Sequence, residues 1–139
     1  MRNVYLDYSA TTPVKEEVLK EMLPYFTEKF GNPSSLYDTG LEAKAAVTHA
    51  REQVAALIHA DPKEVFFTAG GTESDNWALF GACDKLKEKG NHIITTKIEH
   101  HAILHSCAFL EKHGFDVTYV GIDKDGRVNL KELEDAITD

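Results

Sequence analysis

The sequence predicts an α/β fold: an N-terminal helical segment, then strands and helices in alternation that build part of a mainly parallel sheet. Three observations carry this reading. From residue 61 onward, strand-like runs alternate with helical patterns. Runs such as Val65-Phe66-Phe67 and Ile93-Ile94 are continuously apolar, as in strands covered on both faces. With 139 residues, 42% hydrophobic and 27% charged, the chain has the length and composition of one ordinary globular domain.

Taken in order, Val4-Tyr5-Leu6 reads as a short strand and Asp7–Pro13 as an irregular loop that opens a helix. Val14, Val18, Met22 and Tyr25 recur at helical spacing, and Pro24 must kink or end the regular part. Gly31-Asn32-Pro33-Ser34-Ser35 is turn chemistry. A second helix fits Leu41–His59, closed by Asp61-Pro62. The alternation then runs as strand Glu64–Phe67, helix Glu73–Lys89, strand His92–Thr96, helix Ala102–His113, strand Asp116–Val120 and helix Leu130–Ile137. The expected division is a strand, loop and helical segment over 1–60 and a partial α/β domain over 61–139.

Composition excludes several classes of function. A formal net charge of −8 works against a polyanionic partner, so nucleic-acid binding is not expected. No apolar run has the length of a membrane helix, and a cytoplasmic location is the default expectation. Cys83 and Cys107 lack C-x-x-C spacing, fit neither a disulfide framework nor a cysteine metal cage, and read as small buried apolar residues.

The most informative stretch is Phe67-Thr68-Ala69-Gly70-Gly71-Thr72-Glu73-Ser74-Asp75-Asn76, a strand end passing through two glycines into a helix. First-turn amides lack intrahelical partners and the helix dipole is positive there, so a phosphate is stabilised. Gly70 and Gly71 allow close backbone approach, and the Thr72 and Ser74 hydroxyls can donate to phosphate oxygens. A plain N-cap is the alternative, because Thr72 and Asp75 have capping-box spacing. The glycine spacing matches neither a dinucleotide fingerprint nor a P-loop.

Glu99-His100-His101 follows the His92–Thr96 strand, so it should share the C-terminal sheet edge with Gly71 and Thr72. An imidazole there can stack on an aromatic ligand or exchange protons near neutral pH. Local pattern leaves two alternatives open, polar helix capping and a metal site on the i, i+4 pair His101 and His105, which lacks a recognisable third ligand. Asp123-Lys124-Asp125-Gly126-Arg127-Val128-Asn129-Leu130 mimics a calcium loop, but Arg127 and Val128 occupy positions that need an oxygen ligand and a glycine. A turn entering a helix explains this segment better.

Together, Tyr5-Leu6-Asp7-Tyr8-Ser9-Ala10-Thr11-Thr12-Pro13, Gly31–Ser35, Phe67–Asn76 and Glu99-His100 resemble, in order, the start of the cysteine desulfurases. These belong to the class V aminotransferase group of fold-type-I pyridoxal-phosphate enzymes, and the resemblance spans essentially the whole chain. It implies that Gly71 and Thr72 bind the cofactor phosphate, and that His100 stacks on the pyridine ring and assists proton transfer. It also implies the fold-type-I large domain, and conversion of L-cysteine to L-alanine plus an enzyme persulfide that supplies iron–sulfur cluster assembly or tRNA thiolation. His101 acquires no role by resemblance. Lys97, Cys83 and Cys107 match neither the cofactor lysine nor the persulfide cysteine of the family, both of which lie further along the chain.

The expectation is therefore an N-terminal portion, inactive alone, that associates as a homo-oligomer or with the missing C-terminal portion, with a sulfur-acceptor protein as a further partner. Other readings are selenocysteine lyase or another class V activity, and a non-enzymatic partner-binding fragment. An incomplete sheet should leave a strand edge and an apolar face uncovered, which favours association.

Overall fold

The computed structural model describes residues 3–138, which form two compact units divided between Phe66 and Phe67. In the first unit, α1 (Glu16–Met22) carries Glu16 and Glu17 in its first turn and Lys20 in its last, charges that complement the helix dipole. Pro24 ends this run and opens α2 (Pro24–Thr27) at its first position, where the missing N–H costs nothing. The long helix α3 (Asp38–Ile58) buries the small residues Gly40, Ala43 and Ala55. Small side chains there permit close approach of the preceding loop. The Asn32 carbonyl accepts from the Ser35 amide at 2.9 Å, and Asn32 Oδ1 accepts from the Ser34 amide at 2.9 Å. A methyl group added at Gly31 would stand 1.9 Å from the Thr39 carbonyl oxygen, and one at Gly40 would stand 2.6 Å from Ser35 Cβ.

Helix α3 ends on His59, whose φ of 56° lies in the left-handed region. The Ala60 amide donates back to the Ala55 carbonyl at 2.9 Å, closing a Schellman-type cap that ordinarily takes glycine. His59→Gly is expected to raise stability by up to about 1 kcal/mol by relieving the Cβ penalty, an effect a thermal melt of the variant detects. The next turn, a 3₁₀ segment at Pro62–Glu64, is closed reciprocally: the Lys63 amide donates to Asp61 Oδ1 at 2.8 Å and the Asp61 amide donates to Glu64 Oε2 at 2.8 Å. Arg51 Nε donates to the Val65 carbonyl at 3.0 Å, which ties this turn to α3.

The second unit contains α4 (Gly71–Leu86), β1 (His92–Thr96), α5 (His101–Glu111), β2 (Asp116–Val120) and α6 (Leu130–Ala136). Strands β1 and β2 pair in parallel, His92 opposite Asp116 through Thr96 opposite Val120, with α5 as the crossover between them. Parallel neighbours require such a connection. The α4 and α5 helices pack on each other, and α5 and α6 pack on β2. Ala102, Cys107, Leu110 and Val120 form the buried apolar centre. Asn129 caps α6 by accepting from the Lys131 and Glu132 amides, and Glu132 Oε2 accepts from the Gly121 amide at 2.6 Å.

Both strands of this sheet agree with the expected boundaries, but two other expected strands are absent. Val4–Leu6 lies outside any strand, without a ladder partner, and Leu6 is 87% exposed. Glu64 belongs to the 3₁₀ turn, while Phe66 and Phe67 are exposed and outside any strand. A strand exists only where a second strand satisfies its backbone, and β1 and β2 form the one ladder among the described residues. Every residue of β1 remains half-buried, so its faces are not closed over as the continuous apolar pattern suggested. The calcium-like segment is a turn: Asp123 Oδ1 accepts from the Asp125 and Arg127 amides at 2.8 and 3.0 Å, and Gly126 takes a φ of 80°. None of the helices is long and apolar enough to cross a membrane among the described residues.

Candidate functional site

The α4 helix begins at Gly71, with Gly70 as its N-cap in extended backbone. Thr72 therefore lies inside the first turn, and the expected capping pair of Thr72 and Asp75 does not form. Glu73 serves instead, its Oε2 accepting from the Ala69 amide at 2.6 Å. The carboxylate of the first turn can reach that amide because it lies just outside the helix, whereas a hydroxyl already within the helix faces away from the N-cap geometry. Glu73 leaves the first-turn amides with no carbonyl one turn earlier in the helix. Nothing lies within 4 Å of where a side chain would start at Gly70 or Gly71. The helix end is thus open on that side, in a shallow cleft of about 820 Å³ whose lining includes Gly70, Gly71, Thr72 and Trp77.

A second cleft, of about 430 Å³, is lined by Thr72 and Asn76 from α4 together with His100 and His105 at the start of α5. Thr72 and His100 thus line one concavity and Gly71 opens onto the adjoining one, although the strand expected at Glu64–Phe67 is absent, so Gly71 and Thr72 do not follow a strand of the sheet. His100 is the N-cap of α5: its Nδ1 accepts from the Ala102 amide at 3.1 Å, which leaves the ring proton on Nε2. Capping and presentation of an exposed ring are therefore compatible roles for this residue. His101 and His105 stack with ring centroids 5.2 Å apart. No group of three or more His, Cys, Asp or Glu side chains is gathered as metal ligands among the described residues.

Sequence reasoning assigned no role to Thr68, Glu73, Asn76 or Ser106, although Glu73, Asn76 and Ser106 line these clefts and Thr68 bonds to Ser74. Thr68 Oγ1 and Ser74 Oγ are 2.6 Å apart, so the Ser74 hydroxyl, expected as a phosphate donor, pairs with Thr68. Asn76 Nδ2 donates to the Thr72 carbonyl at 2.7 Å, and Ser106 Oγ donates to Asn76 Oδ1 at 3.0 Å. The polar Thr68–Asn76 run signalled the first contacts. Ser106 carried no such signal, since its partner is 30 positions away in the sequence.

Of the two cysteines expected to be buried, one is a core residue. Cys107 is fully buried and Cys83 is half-buried. Burial raises both thiols above their ordinary range, and for Cys107 the neighbouring Cys83, Glu111 and Glu99 add to the effect. Both remain protonated thiols to higher pH than a free cysteine, so their stabilising contribution is present below the unfolded-state value and fades as pH rises through the folded one. A thiol-reactive dye at neutral pH is expected to label Cys107 only after denaturation, with native labelling confined to Cys83; rapid native labelling of both would contradict this burial.

An open helix N-terminus beside an exposed imidazole offers donors for an anion and a flat face for stacking. The model of the family described as aminotransferase class-V matches residues 4–139. The chain belongs to the aminotransferase class-V family. Its class-V relatives include the cysteine desulfurase IscS of Clostridium botulinum (strain Kyoto / Type A2), 59% identical over 138 residues that cover 99% of this chain and 35% of the relative. The cysteine desulfurase IscS of Methanosarcina thermophila is 55% identical over 98% of this chain and 34% of its own length. Among solved structures, a NifS-like protein superposes with a TM-score of 0.95 at 42% identity, over 99% of this chain and 38% of that one. SspA in complex with cysteine superposes with a TM-score of 0.89 at 41% identity, over 96% and 39%. The chain thus spans about a third of the length of these class-V relatives.

Proposed function

We propose that this chain supplies the phosphate-binding end and the ring-stacking imidazole of a pyridoxal 5'-phosphate site in a cysteine desulfurase. The observation that carries this reading is the shared cleft of Thr72 and His100, with the first turn of α4 open beside it. The residues fit the group. Amides at Gly71 and Thr72 and the Thr72 hydroxyl provide donors for a phosphate, and the His100 ring offers a flat face with a proton on Nε2. When bound, the cofactor acts as an electron sink for a substrate amino acid. The chain's own part is to anchor the phosphate, to orient the ring, and to hold a proton at His100 Nε2 for exchange near the reacting atoms.

In this reading the complete polypeptide converts L-cysteine to L-alanine and passes sulfur to an acceptor protein, with the cofactor lysine and persulfide cysteine outside residues 1–139. These residues by themselves are then inactive. Exposed apolar side chains such as Leu36 at 91% and Leu57 at 80% support association with another copy. A cytoplasmic setting is consistent with free thiols at Cys83 and Cys107.

The decisive test separates the two roles of His100. Asparagine is a good N-cap but has no ring to stack, so His100→Asn should keep the melting temperature of the wild type while weakening pyridoxal phosphate in an absorbance titration by about tenfold. Turnover of L-cysteine to L-alanine by the complete polypeptide should fall with it. Unchanged cofactor affinity together with unchanged stability would reduce His100 to a helix cap and remove the stacking role.

A further inference from the structure

Ser106 is the buried polar side chain of the described core, 5% exposed between Ala102 and Leu110 on α5. A hydroxyl in that setting is costly unless it is bonded. Its Oγ lies 2.7 Å from the Ala102 carbonyl and 3.0 Å from Asn76 Oδ1 on α4, and its single proton is shared between these acceptors. The Asn76 amide is held at both ends, because Nδ2 also donates to the Thr72 carbonyl at 2.7 Å. On the α5 side, the amide of the same Ala102 donates to His100 Nδ1 at 3.1 Å. A continuous polar path therefore runs from Thr72 through Asn76, Ser106 and Ala102 to His100. It joins the two helix starts that line the common cleft.

We propose that Asn76 and Ser106 are positioning residues: a two-residue clamp that sets the spacing and orientation of the α4 first turn relative to the His100 imidazole. The part of this proposal that concerns the cofactor rests on the site reading above. The physical reason is geometric. The α4–α5 packing also includes the edge-to-face pair of Phe80 and Phe109, at 5.6 Å, and apolar contacts of this kind are less directional than hydrogen bonds. A primary amide that must donate to one fixed carbonyl and accept from one fixed hydroxyl is bound directionally at both ends. Asn76 therefore selects one register between the helices where packing alone would accept several. A ligand that touches both Thr72 and His100 requires that register, and small displacements at such a site are costly.

The test measures pyridoxal phosphate affinity and hydrogen–deuterium exchange on the complete polypeptide, for Asn76→Leu, Ser106→Ala and the double variant. Each single variant is expected to weaken the cofactor by about fivefold and to speed exchange of the amides at positions 73–76, with the double variant no worse than either single one. Losses that add in the double variant, or a lowered melting temperature with unchanged cofactor affinity and unchanged exchange at 73–76, would overturn the clamp and leave Ser106 a packing residue. If the wild type fails to bind pyridoxal phosphate while Ser106→Ala still speeds exchange at 73–76, the clamp stands as a link between the helix ends and the cofactor reading is what falls.

Discussion

With Gly71 replaced by proline, α4 is expected to form as before while affinity for pyridoxal phosphate falls by about 10- to 100-fold. Proline is welcome at the first position of a helix, since the N–H it lacks there has no intrahelical partner. Gly70, immediately before it, is already extended, the conformation that a residue preceding proline prefers. Nothing lies within 4 Å of a Cβ at Gly71, so the first ring carbon meets no neighbour. In the proposed reading, what the substitution removes is one amide donor to the cofactor phosphate. A charge-assisted bond of that kind contributes about 1.5–3 kcal/mol, hence the expected loss. The measurement is a titration of the variant with the cofactor and with inorganic phosphate, alongside a thermal melt. A variant that keeps both its melting temperature and its cofactor affinity would show that the open amides of α4 do not bind the phosphate.

Gly31→Ala is expected to be the most damaging single methyl in the N-terminal unit. The added carbon would stand 1.9 Å from the Thr39 carbonyl oxygen and 2.4 Å from its carbon. Both are backbone atoms in the first turn of α3, so neither can swing aside as a flexible side chain would. The loop that carries Asn32–Ser35 must move away from α3, at a cost of about 3 kcal/mol or more. Denaturant unfolding of this variant should show a lowered midpoint, and Gly40→Ala, which meets Ser35 and the Asn32 carbonyl, should show a related loss. A near-wild-type midpoint for Gly31→Ala would mean that the loop does not approach α3 this closely.

The residues themselves made the second unit legible to different depths. The β1 and β2 strands were readable to the residue because Ile93-Ile94 and Val117–Val120 are short, β-prone runs bounded by turn residues, and because they do find each other as parallel neighbours. Strand-like runs at Val4–Leu6 and Val65–Phe67 have the same local character, yet neither has a ladder partner among the described residues. Hydrophobicity is a property of the residue, whereas pairing is a property of two segments. The same distinction holds within the site. Gly71, Thr72 and His100 stood out because helix starts and glycine pairs have local signatures. The Glu73 carboxylate caps the Ala69 amide where local spacing had left a Thr72–Asp75 box open as an alternative, because only backbone geometry decides which side chain reaches the helix start.

By itself, the sequence determined the order of the helices, the parallel pair and the position of the glycine-rich helix start, since each follows from periodicity, capping chemistry and backbone freedom over a few neighbouring residues. Only the tertiary structure decided that Thr72 and His100 share a cleft, that Cys83 is less buried than Cys107, and that Ser106 reaches Asn76 across 30 positions. These depend on how α5 lies against α4. That arrangement comes from packing between the two helices together with the Asn76–Ser106 hydrogen bond, both made by residues far apart in sequence, so no short stretch encodes it on its own.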